Sequence, residues 1–258
     1  FPNKNHENWK FSDLNQIIKK KIGDLSFYND YSLSNEINSS DFIDGLEHNK
    51  IVFINGRIEK IEFNYEDDEK IEIIDELEFK NNINQENSLI NLNNAFTNKY
   101  YKIVIKEGYF LKKPLIIYHT TNKNLKYKNV NLRLDFLLEK NSCLKLIDIS
   151  SDAAEKNFIN ILYNFALGKD TILKNYKVDK KENSNVKYSF NNINQDANSV
   201  SETFILSSGS SFIKNEINCN LNGKYSSAFI NGIFSLSNQR HHEIRTCINH
   251  LIDNTKSY

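Results

Sequence analysis

From about Tyr101 to Tyr258 the chain consists of short runs in which apolar and polar residues alternate, with no helical spacers between them. In the run 130–138 every second residue is apolar, and polar residues such as Asn131 and Asp135 lie between them. Alternation with period two means that one face of each strand is buried and the other contacts water. A long series of strands without helices indicates a sandwich, a barrel or a solenoid. Similar runs recur at 158–167, 186–190, 217–221, 228–236 and 244–248.

The scarcity of turn residues favours the solenoid among these three architectures. The chain holds two prolines and eight glycines, fewer than sandwiches and barrels use for their turns. It is rich in Asn, which tolerates the left-handed backbone conformation of broad β-arcs. Such arcs join the stacked coils of solenoids, although no repeat of fixed length is visible. We therefore expect residues 101–258 to form a parallel β-helix core.

Residues 1–100 are expected to form a smaller helical and α+β region. Apolar residues at three- and four-residue spacings predict a helix that begins at an N-cap, Ser12, and runs to Gly23. An Asn-Gly turn at Asn55 predicts a hairpin from the strand 51–54. The segment 41–46 is expected to form a short turn, the acidic run 66–69 a solvated loop and the segment 89–96 a short amphipathic helix.

Charge and cysteine content exclude several classes of function. Lys plus Arg and Asp plus Glu number 33 each, so no global field attracts nucleic acid or an anionic membrane. No apolar stretch is long enough to span a bilayer. The three cysteines are scattered singly, which favours a reducing, cytoplasmic compartment. Because the chain contains no Met, we expect it to be a trimmed fragment.

The familiar catalytic motifs are absent, so we expect a protein that is not an enzyme. Gly168-Lys169 and Gly223-Lys224 lack the remainder of a phosphate-binding loop. No nucleophile elbow or zinc-protease motif occurs either. We therefore assign no catalytic and no cofactor-binding residue.

Several segments, read in order, resemble the SufB/SufD proteins of iron–sulfur cluster assembly, and SufD more than SufB. The strongest segment is the last, where Leu221-Asn222-Gly223 is followed by NGIF at 231–234 and then by QRHH and TCINH at 239–242 and 246–250. The resemblance extends over essentially the whole chain in the correct order. The other matching segments are HENWKF (6–11), VFINGR (52–57), PLIIYH (114–119) and LEKNSCLKLI (138–147).

This resemblance implies a helical N-terminal region, a right-handed parallel β-helix and a C-terminal helical domain. The domain would be missing from this fragment, together with the surface that docks the SufC-like ATPase and any metal ligands beyond Tyr258. The implied function is that of a scaffold subunit which pairs with a SufB-like subunit. An iron–sulfur cluster is expected only at the level of the complex, and a homodimer is the alternative assembly.

The strand near the C-terminus carries most of the metal-capable side chains. His242 and His250 share a face with Ile244 and Ile248, so we expect them to point inward. The outer face carries the interface candidates His241, Glu243 and Arg245, together with Cys247. Residues two apart on one face are roughly 7 Å apart, too far for one strand alone to bind a zinc-like ion. His241 and Cys247 therefore remain only weak metal candidates, and a contact with a partner is the favoured interpretation.

The remaining conspicuous residues have structural interpretations. Cys143 and Cys219 are expected to be small buried hydrophobes, and Cys219 should point inward. His119 is expected to be a structural histidine at a strand end, and Trp9 to belong to the core. Three glycines are expected to serve the backbone conformation, namely Gly56, Gly223 and Gly232.

Two other functions fit a β-solenoid. One is a carbohydrate-active enzyme such as a polysaccharide lyase, which needs clustered Asp or Lys and Arg on one exposed row of strands. No convincing cluster of this kind is visible in the sequence. The other is a plain interaction module without metal chemistry.

Overall fold

The structure is a computed structural model that describes residues 1–27, 42–76, 87–97, 99–122, 124–152, 154–179, 182–237 and 239–258. The helical elements are a 3-10 turn at Glu7–Trp9, α1 (Leu14–Lys21) and α2 (Ser88–Phe96). The strands before the first complete coil are β1 (Ser26–Phe27), β2 (Asn49–Ile54), β3 (Arg57–Glu62), β4 (Ile71–Glu76), β5 (Tyr100–Ile105) and β6 (Leu115–Thr120). The later strands are β7 (Lys128–Leu138), β8 (Cys143–Ser150), β9 (Phe158–Leu167), β10 (Ile172–Asp179), β11 (Val186–Gln195), β12 (Val200–Ser207), β13 (Phe212–Leu221), β14 (Ser227–Phe234), β15 (His241–His250) and β16 (Lys256–Ser257).

The strands form two sheets that wind as a parallel β-solenoid of about five turns. Sheet A has the order β15-β13-β11-β9-β7-β5-β4, with β1 beside β7, and sheet B has the order β16-β14-β12-β10-β8-β6-β2-β3. Neighbours are parallel except in the pairs β2–β3 and β4–β5. The predicted solenoid is confirmed. The division into two regions at residue 100 stays a prediction. Strands from both sides of residue 100 share these sheets.

Each coil contributes one strand to each sheet, and equivalent positions stack in register. In sheet A, Asn129, Phe158, Val186, Phe212 and His241 lie in one column. The step along the chain is not constant, because it is longer from Phe212 to His241 than from Val186 to Phe212. This variation explains why the sequence shows no repeat of fixed length.

The arcs that lead from sheet A to sheet B also stack. Each contains one residue with φ between 56° and 64°, namely Asn141, Asp170, Asn198, Tyr225 and Asn254. Asn and Asp tolerate this left-handed conformation, so the expected use of Asn in β-arcs is confirmed. A hydroxyl residue follows each of them and donates to the carbonyl three residues earlier, at 2.6–3.2 Å; these are Ser142, Thr171, Ser199, Ser226 and Thr255.

Two glycines are required where the backbone approaches another strand or arc closely. Gly56 has a φ of +84°, and a Cβ there would lie 2.5 Å from the carbonyl oxygen of Asn131. A Cβ on Gly223 would lie 1.9 Å from the backbone nitrogen of Ala197 in the coil before. Both distances are far below van der Waals contact, so the expected backbone role of these two glycines is confirmed.

The main core lies between the two sheets and is filled by the inward side chains of every coil. Among its fully buried members are Phe53, Phe136, Tyr163 and Phe165. The rings of Phe136 and Phe165 stack with centroids 4.7 Å apart. Burying one such ring stabilises the fold by about 1.5–3 kcal/mol. Cys219 is fully buried in this core, as predicted, whereas Cys143 is only half-buried.

The N-terminal helices cover part of the outer face of sheet A. Trp9, Leu14 and Leu89 pack in a second cluster with Phe158 and Tyr188 of β9 and β11. Trp9 is thus a core residue, as predicted, and α2 matches the predicted short helix. The predicted N-cap of the first helix was wrong by one residue.

The N-cap of α1 is Asp13, whose side chain accepts from the backbone N–H of Gln16, and α1 itself ends at Lys21. The cap must directly precede the first helical residue, Leu14, for its oxygen to reach that N–H, so Ser12 lies one position too early. The predicted hairpin at Asn55 is confirmed by the antiparallel pair β2–β3. The predicted turn at 41–46 begins at Asp41, which lies outside the described residues.

One residue of the acidic run is not solvated. The carboxylate of Glu66 accepts hydrogen bonds from the Tyr109 hydroxyl at 2.7 Å and from the backbone N–H groups of Lys112 and Lys113 at 3.0 and 3.1 Å. Although burial opposes its ionisation, these donors hold the pKa of Glu66 below its usual value. The sequence run therefore contains one structural anchor beside three exposed acids.

Candidate interface of the last coils

Strand β15 presents the predicted row of His241, Glu243 and Arg245 on the outer face of sheet A. The parity predicted from the sequence is confirmed at His242, which is buried on the opposite face. His250, which was also expected to point inward, is exposed, and its ring nitrogens lie 2.6 Å from the Thr255 hydroxyl and 3.1 Å from the Ser257 hydroxyl. The Nε2 of His242 donates to the carbonyl of Ser210 at 2.7 Å, and its Nδ1 accepts from the Ser207 hydroxyl at 2.8 Å. Burial lowers the pKa of His242, and the bond to Ser210 opposes that shift. This histidine is a structural link between coils.

The carboxylate of Glu243 makes its contacts within the chain. Its carboxylate lies 2.7 Å from Lys214 Nζ and 2.6 Å from His241 Nε2. Although burial opposes its ionisation, Lys214 and His241 hold the pKa of Glu243 below its usual value. Lys214 also donates to the carbonyl of Asn8 at 2.7 Å and lies 4.4 Å from the centroid of the Trp9 ring. Glu243 and Lys214 therefore fasten the N-terminal segment to the solenoid.

Arg245 differs from the other two members of the row. It is exposed, and it makes no hydrogen bond or ion pair with any residue that the structure describes. Its register neighbour on β13 is Glu216, which is 2% exposed. Glu216 Oε2 accepts from the Tyr188 hydroxyl at 2.8 Å and from Asn87 Nδ2 at 3.4 Å. Burial raises the pKa of Glu216, because desolvation outweighs the help of its neighbours.

The two weak metal candidates do not lie together. His241 stacks on the ring of Phe212 with centroids 5.5 Å apart, and Cys247 donates to Asn249 Oδ1 at 3.6 Å. Six strand positions separate His241 from Cys247, roughly 20 Å at about 3.3 Å per residue. Across the described ranges no three His, Cys, Asp or Glu residues are grouped to hold a metal ion. Among the described residues, neither has the further ligands that a metal site needs.

A buried ionic cluster between the sheets surrounds His119. Its Nε2 lies 2.9 Å from Asp148 Oδ1 and 2.6 Å from the Tyr163 hydroxyl. Lys177 Nζ lies 3.5 Å from the other oxygen of Asp148 and donates to Ser189 at 2.8 Å. Burial alone would raise the pKa of Asp148, but His119 and Lys177 hold it well below its usual range. The structural assignment of His119 is thereby supported.

A second ionic cluster joins positions just after β8, at the end of β10 and near the start of β11. Lys187 Nζ lies 2.5 Å from Asp152 Oδ2 and 2.6 Å from Asp179 Oδ2. The first contact is ionic and lies outside hydrogen-bond geometry, whereas Asp179 also accepts from the backbone N–H of Ser210 at 3.2 Å. A cavity of about 40 Å³ beside Lys177 and Lys187 offers room for about one water molecule.

Sequence reasoning missed Lys214, Asp148, Lys177 and Lys187. Asp148 has the same strand parity as the inward residues Leu144 and Leu146 of β8, and Lys177 has that of Leu173 of β10. A charged residue at an inward position is the signal that could have found them. Lys214 shares its face with Tyr188 and Glu243 in one register column. Its role depends on Asn8, far away in the sequence, which no local pattern reveals.

These features define a class of protein: a parallel β-solenoid with an ionically cross-linked interior and a helical region fastened to one face. The family described as "SUF system FeS cluster assembly, SufBD core domain" matches residues 118–258, from within β6 to the end of the chain. The chain therefore belongs to this family and has a role in iron–sulfur cluster assembly by the SUF system. The match does not distinguish SufD from SufB. No curated protein matches the chain.

The described helices are short. None of them is long and apolar enough to cross a membrane.

Proposed function

We propose that this chain is a SufD-like scaffold subunit without catalytic activity of its own. It pairs with a SufB-like subunit and works in the cytoplasm with a SufC-like ATPase. Family membership supports the assembly role, and the resemblance of the segments read in order along the chain, which is greater to SufD than to SufB, supports the SufD-like assignment. The cluster is cargo that the complex assembles, and this chain alone supplies no cofactor site.

Family membership is the observation that carries the pairing, and the exposed apolar side chains of the last coils define the surface that is tested below. Among the large apolar side chains that are exposed in the described part of the chain, seven lie between Tyr225 and the end of the chain. They include Ile233 on β14, which is 54% exposed. Large exposed apolar side chains concentrated on one part of a fold favour protein association there. These seven residues, which we call the terminal apolar patch, are Tyr225, Ile233, Phe234, Leu236, Leu251, Ile252 and Tyr258.

The outer row of β15 supplies a second, polar contact in this proposal. His241 and Glu243 are paired with each other, so Arg245 is the member of the row whose charge is available to meet a partner. A charge at the rim of an interface acts mainly on partner choice and association rate. We therefore expect Arg245 to contribute less to complex yield than the terminal apolar patch.

The solenoid suits a scaffold that must pass on an ATP-driven movement. Strands β7 to β15 form two continuous parallel ladders, one in each sheet, and the ionic clusters of Asp148 and Lys187 tie the middle coils together. A stack in which each coil contacts only its neighbours behaves as a stiff rod. Rotation applied at one end then reaches the pairing surface as a rigid-body movement.

Co-expression of the full-length protein with SufB-like and SufC-like chains tests this proposal. Affinity purification through a tag on this chain should yield a stable assembly, whose mass light scattering would report. A monodisperse monomer under these conditions would refute the pairing. A homodimer that excludes the SufB-like chain would refute the choice of partner.

Matched variants locate the contact. Ile233→Asp should strongly reduce the recovery of the SufB-like chain, whereas Phe110→Asp should not, although Phe110 is 52% exposed at the other end of the solenoid. Equal recovery of the SufB-like chain with both variants would show that the terminal apolar patch is not the contact. Arg245→Glu should weaken co-purification relative to Lys224→Glu, an exposed position on an arc. Unchanged yield with Arg245→Glu would discard the row as a contact.

A further inference from the structure

A groove of about 340 Å³ lies between the N-terminal region and the outer face of the last coils. Its walls come from Asn87 at the start of α2 and from Glu216 and Asn218 of β13. Arg245 and Cys247 of β15 complete it. An acid, a guanidinium, a thiol and amides thus line one groove of small-molecule size.

Glu216 has an acceptor that the protein leaves unused. Its Oε1 is buried and receives no hydrogen bond from any described residue. The nearest cation is Lys214 Nζ, at 3.9 Å. That ammonium is engaged by Glu243 and by the carbonyl of Asn8, each at 2.7 Å. A buried carboxylate oxygen without a donor is unfavourable, and a ligand that donates to it would remove this cost.

Arg245 supplies the complementary group. It lies beside Glu216 in the register of β13 and β15, and it has no hydrogen-bond or ion-pair partner among the described residues. A guanidinium recognises a carboxylate through two parallel hydrogen bonds. Neighbouring strands lie about 4.8 Å apart, so the two side chains start from adjacent backbone positions, and a ligand that meets both must carry its donor and its carboxylate close together.

We propose that this groove binds α-amino acids as zwitterions, with the ammonium group at Glu216 and the carboxylate at Arg245. The ligand side chain then faces Asn218 and Cys247. The ammonium group supplies the hydrogen-bond donor that Glu216 Oε1 lacks. The inference concerns the isolated chain and does not rest on the proposed pairing.

Cys247 provides a readout inside the groove. The isolated chain is treated with iodoacetamide, and alkylation is followed at the Cys247 peptide by mass spectrometry. The other thiols are separate peptides, and burial raises the pKa of Cys219 to about 12. The probes are L-alanine, propionate, which lacks the amine, and ethylamine, which lacks the carboxylate.

L-alanine should protect Cys247 in a saturable manner. Propionate and ethylamine should each need roughly tenfold higher concentration or more, because each forms only one of the two charge-assisted contacts. Protection by propionate equal to that by L-alanine would reduce the site to an anion contact and overturn the proposal. Absence of protection by L-alanine would overturn it as well.

Variants test the two assigned residues. Arg245→Gln should abolish protection by L-alanine, whereas Lys224→Gln, which makes the same charge change on an exposed arc, should leave it intact. Glu216→Gln should remove the advantage of L-alanine over propionate. Both outcomes are measured only with variants whose circular dichroism spectrum matches that of the wild type, which shows that they fold. Full protection in Arg245→Gln would refute the assignment, and since Arg245 is exposed this variant is expected to fold.

Discussion

Replacing Lys187 by Met tests whether the ionic cluster of the middle coils stabilises the solenoid. Lys187 is about 6% exposed and shares its ammonium between Asp152 and Asp179. Although burial disfavours the charged form, the two carboxylates raise the pKa of Lys187 above its usual value. Met keeps a similar length and removes the ammonium group, with its charge and its hydrogen bond to Asp179.

The expected loss of stability follows from the two carboxylates that remain after the substitution. Two buried carboxylates, 3% and 14% exposed, would lie close together without their common cation. Breaking a buried ion pair by removing one partner costs about 3–5 kcal/mol. The matched control is Lys174→Met on β10, whose pair with Glu202 has side chains 37% and 42% exposed. An exposed pair of this kind contributes at most about 1 kcal/mol.

Urea unfolding followed by circular dichroism measures both variants against the wild type at neutral pH. Lys187→Met should lower the urea concentration at the midpoint of unfolding much more than Lys174→Met. The triple variant Lys187→Met, Asp152→Asn, Asp179→Asn should recover much of the loss, because it removes the uncompensated charges. Equal effects of the two single variants would refute the reasoning, and so would a triple variant no more stable than Lys187→Met.

Three further predictions concern single residues. Asp148→Asn should lower the free energy of unfolding by about 3 kcal/mol at neutral pH. Because the pKa of Asp148 is held below 3.8, this loss of stability should become smaller as the pH falls below that value. A loss that does not change with pH in urea titrations would contradict the prediction. Burial raises the pKa of Glu216 above 4.5, so protonation stabilises the fold at low pH and this contribution is lost as the pH rises. Glu216→Gln should therefore gain stability relative to the wild type as the pH rises above 4.5, and a relative loss would contradict the assignment. Tyr225 has a φ of +64° where other arcs carry Asn or Asp, so Tyr225→Asn should raise the free energy of unfolding by about 0.5–1 kcal/mol, and a lower melting temperature would count against the arc alignment.

Much of the fold could be predicted because it depends on local patterns. Alternation identified the strands, and the shortage of Gly and Pro pointed to arcs. The repeat itself was missed because the coils differ in length, as the unequal steps on either side of Phe212 show. A better signal was available in the pair formed by a left-handed residue and a following hydroxyl residue, as in Asn141-Ser142 and Asn198-Ser199. This pair marks each arc that leads from sheet A to sheet B between β7 and β16.

For the site, the sequence could predict only which face of its strand each residue occupies. Parity placed His242 and Cys219 inside and Arg245 outside, as the structure shows. It could not reveal that Glu243 is bound by Lys214, because that contact depends on the register of two coils and on the N-terminal segment. Long-range pairing of this kind depends on the fold as a whole.

The iron and acid-labile sulfide content of the co-purified complex tests the central claim most directly. The assembly of this chain with its SufB-like and SufC-like partners, isolated without oxygen, should contain both elements in equal amounts. The same preparation made with Ile233→Asp, which disrupts the proposed pairing, should lose them together with the SufB-like chain. A stable complex that contains neither element would contradict the account and identify the solenoid as an interaction module without a part in cluster assembly.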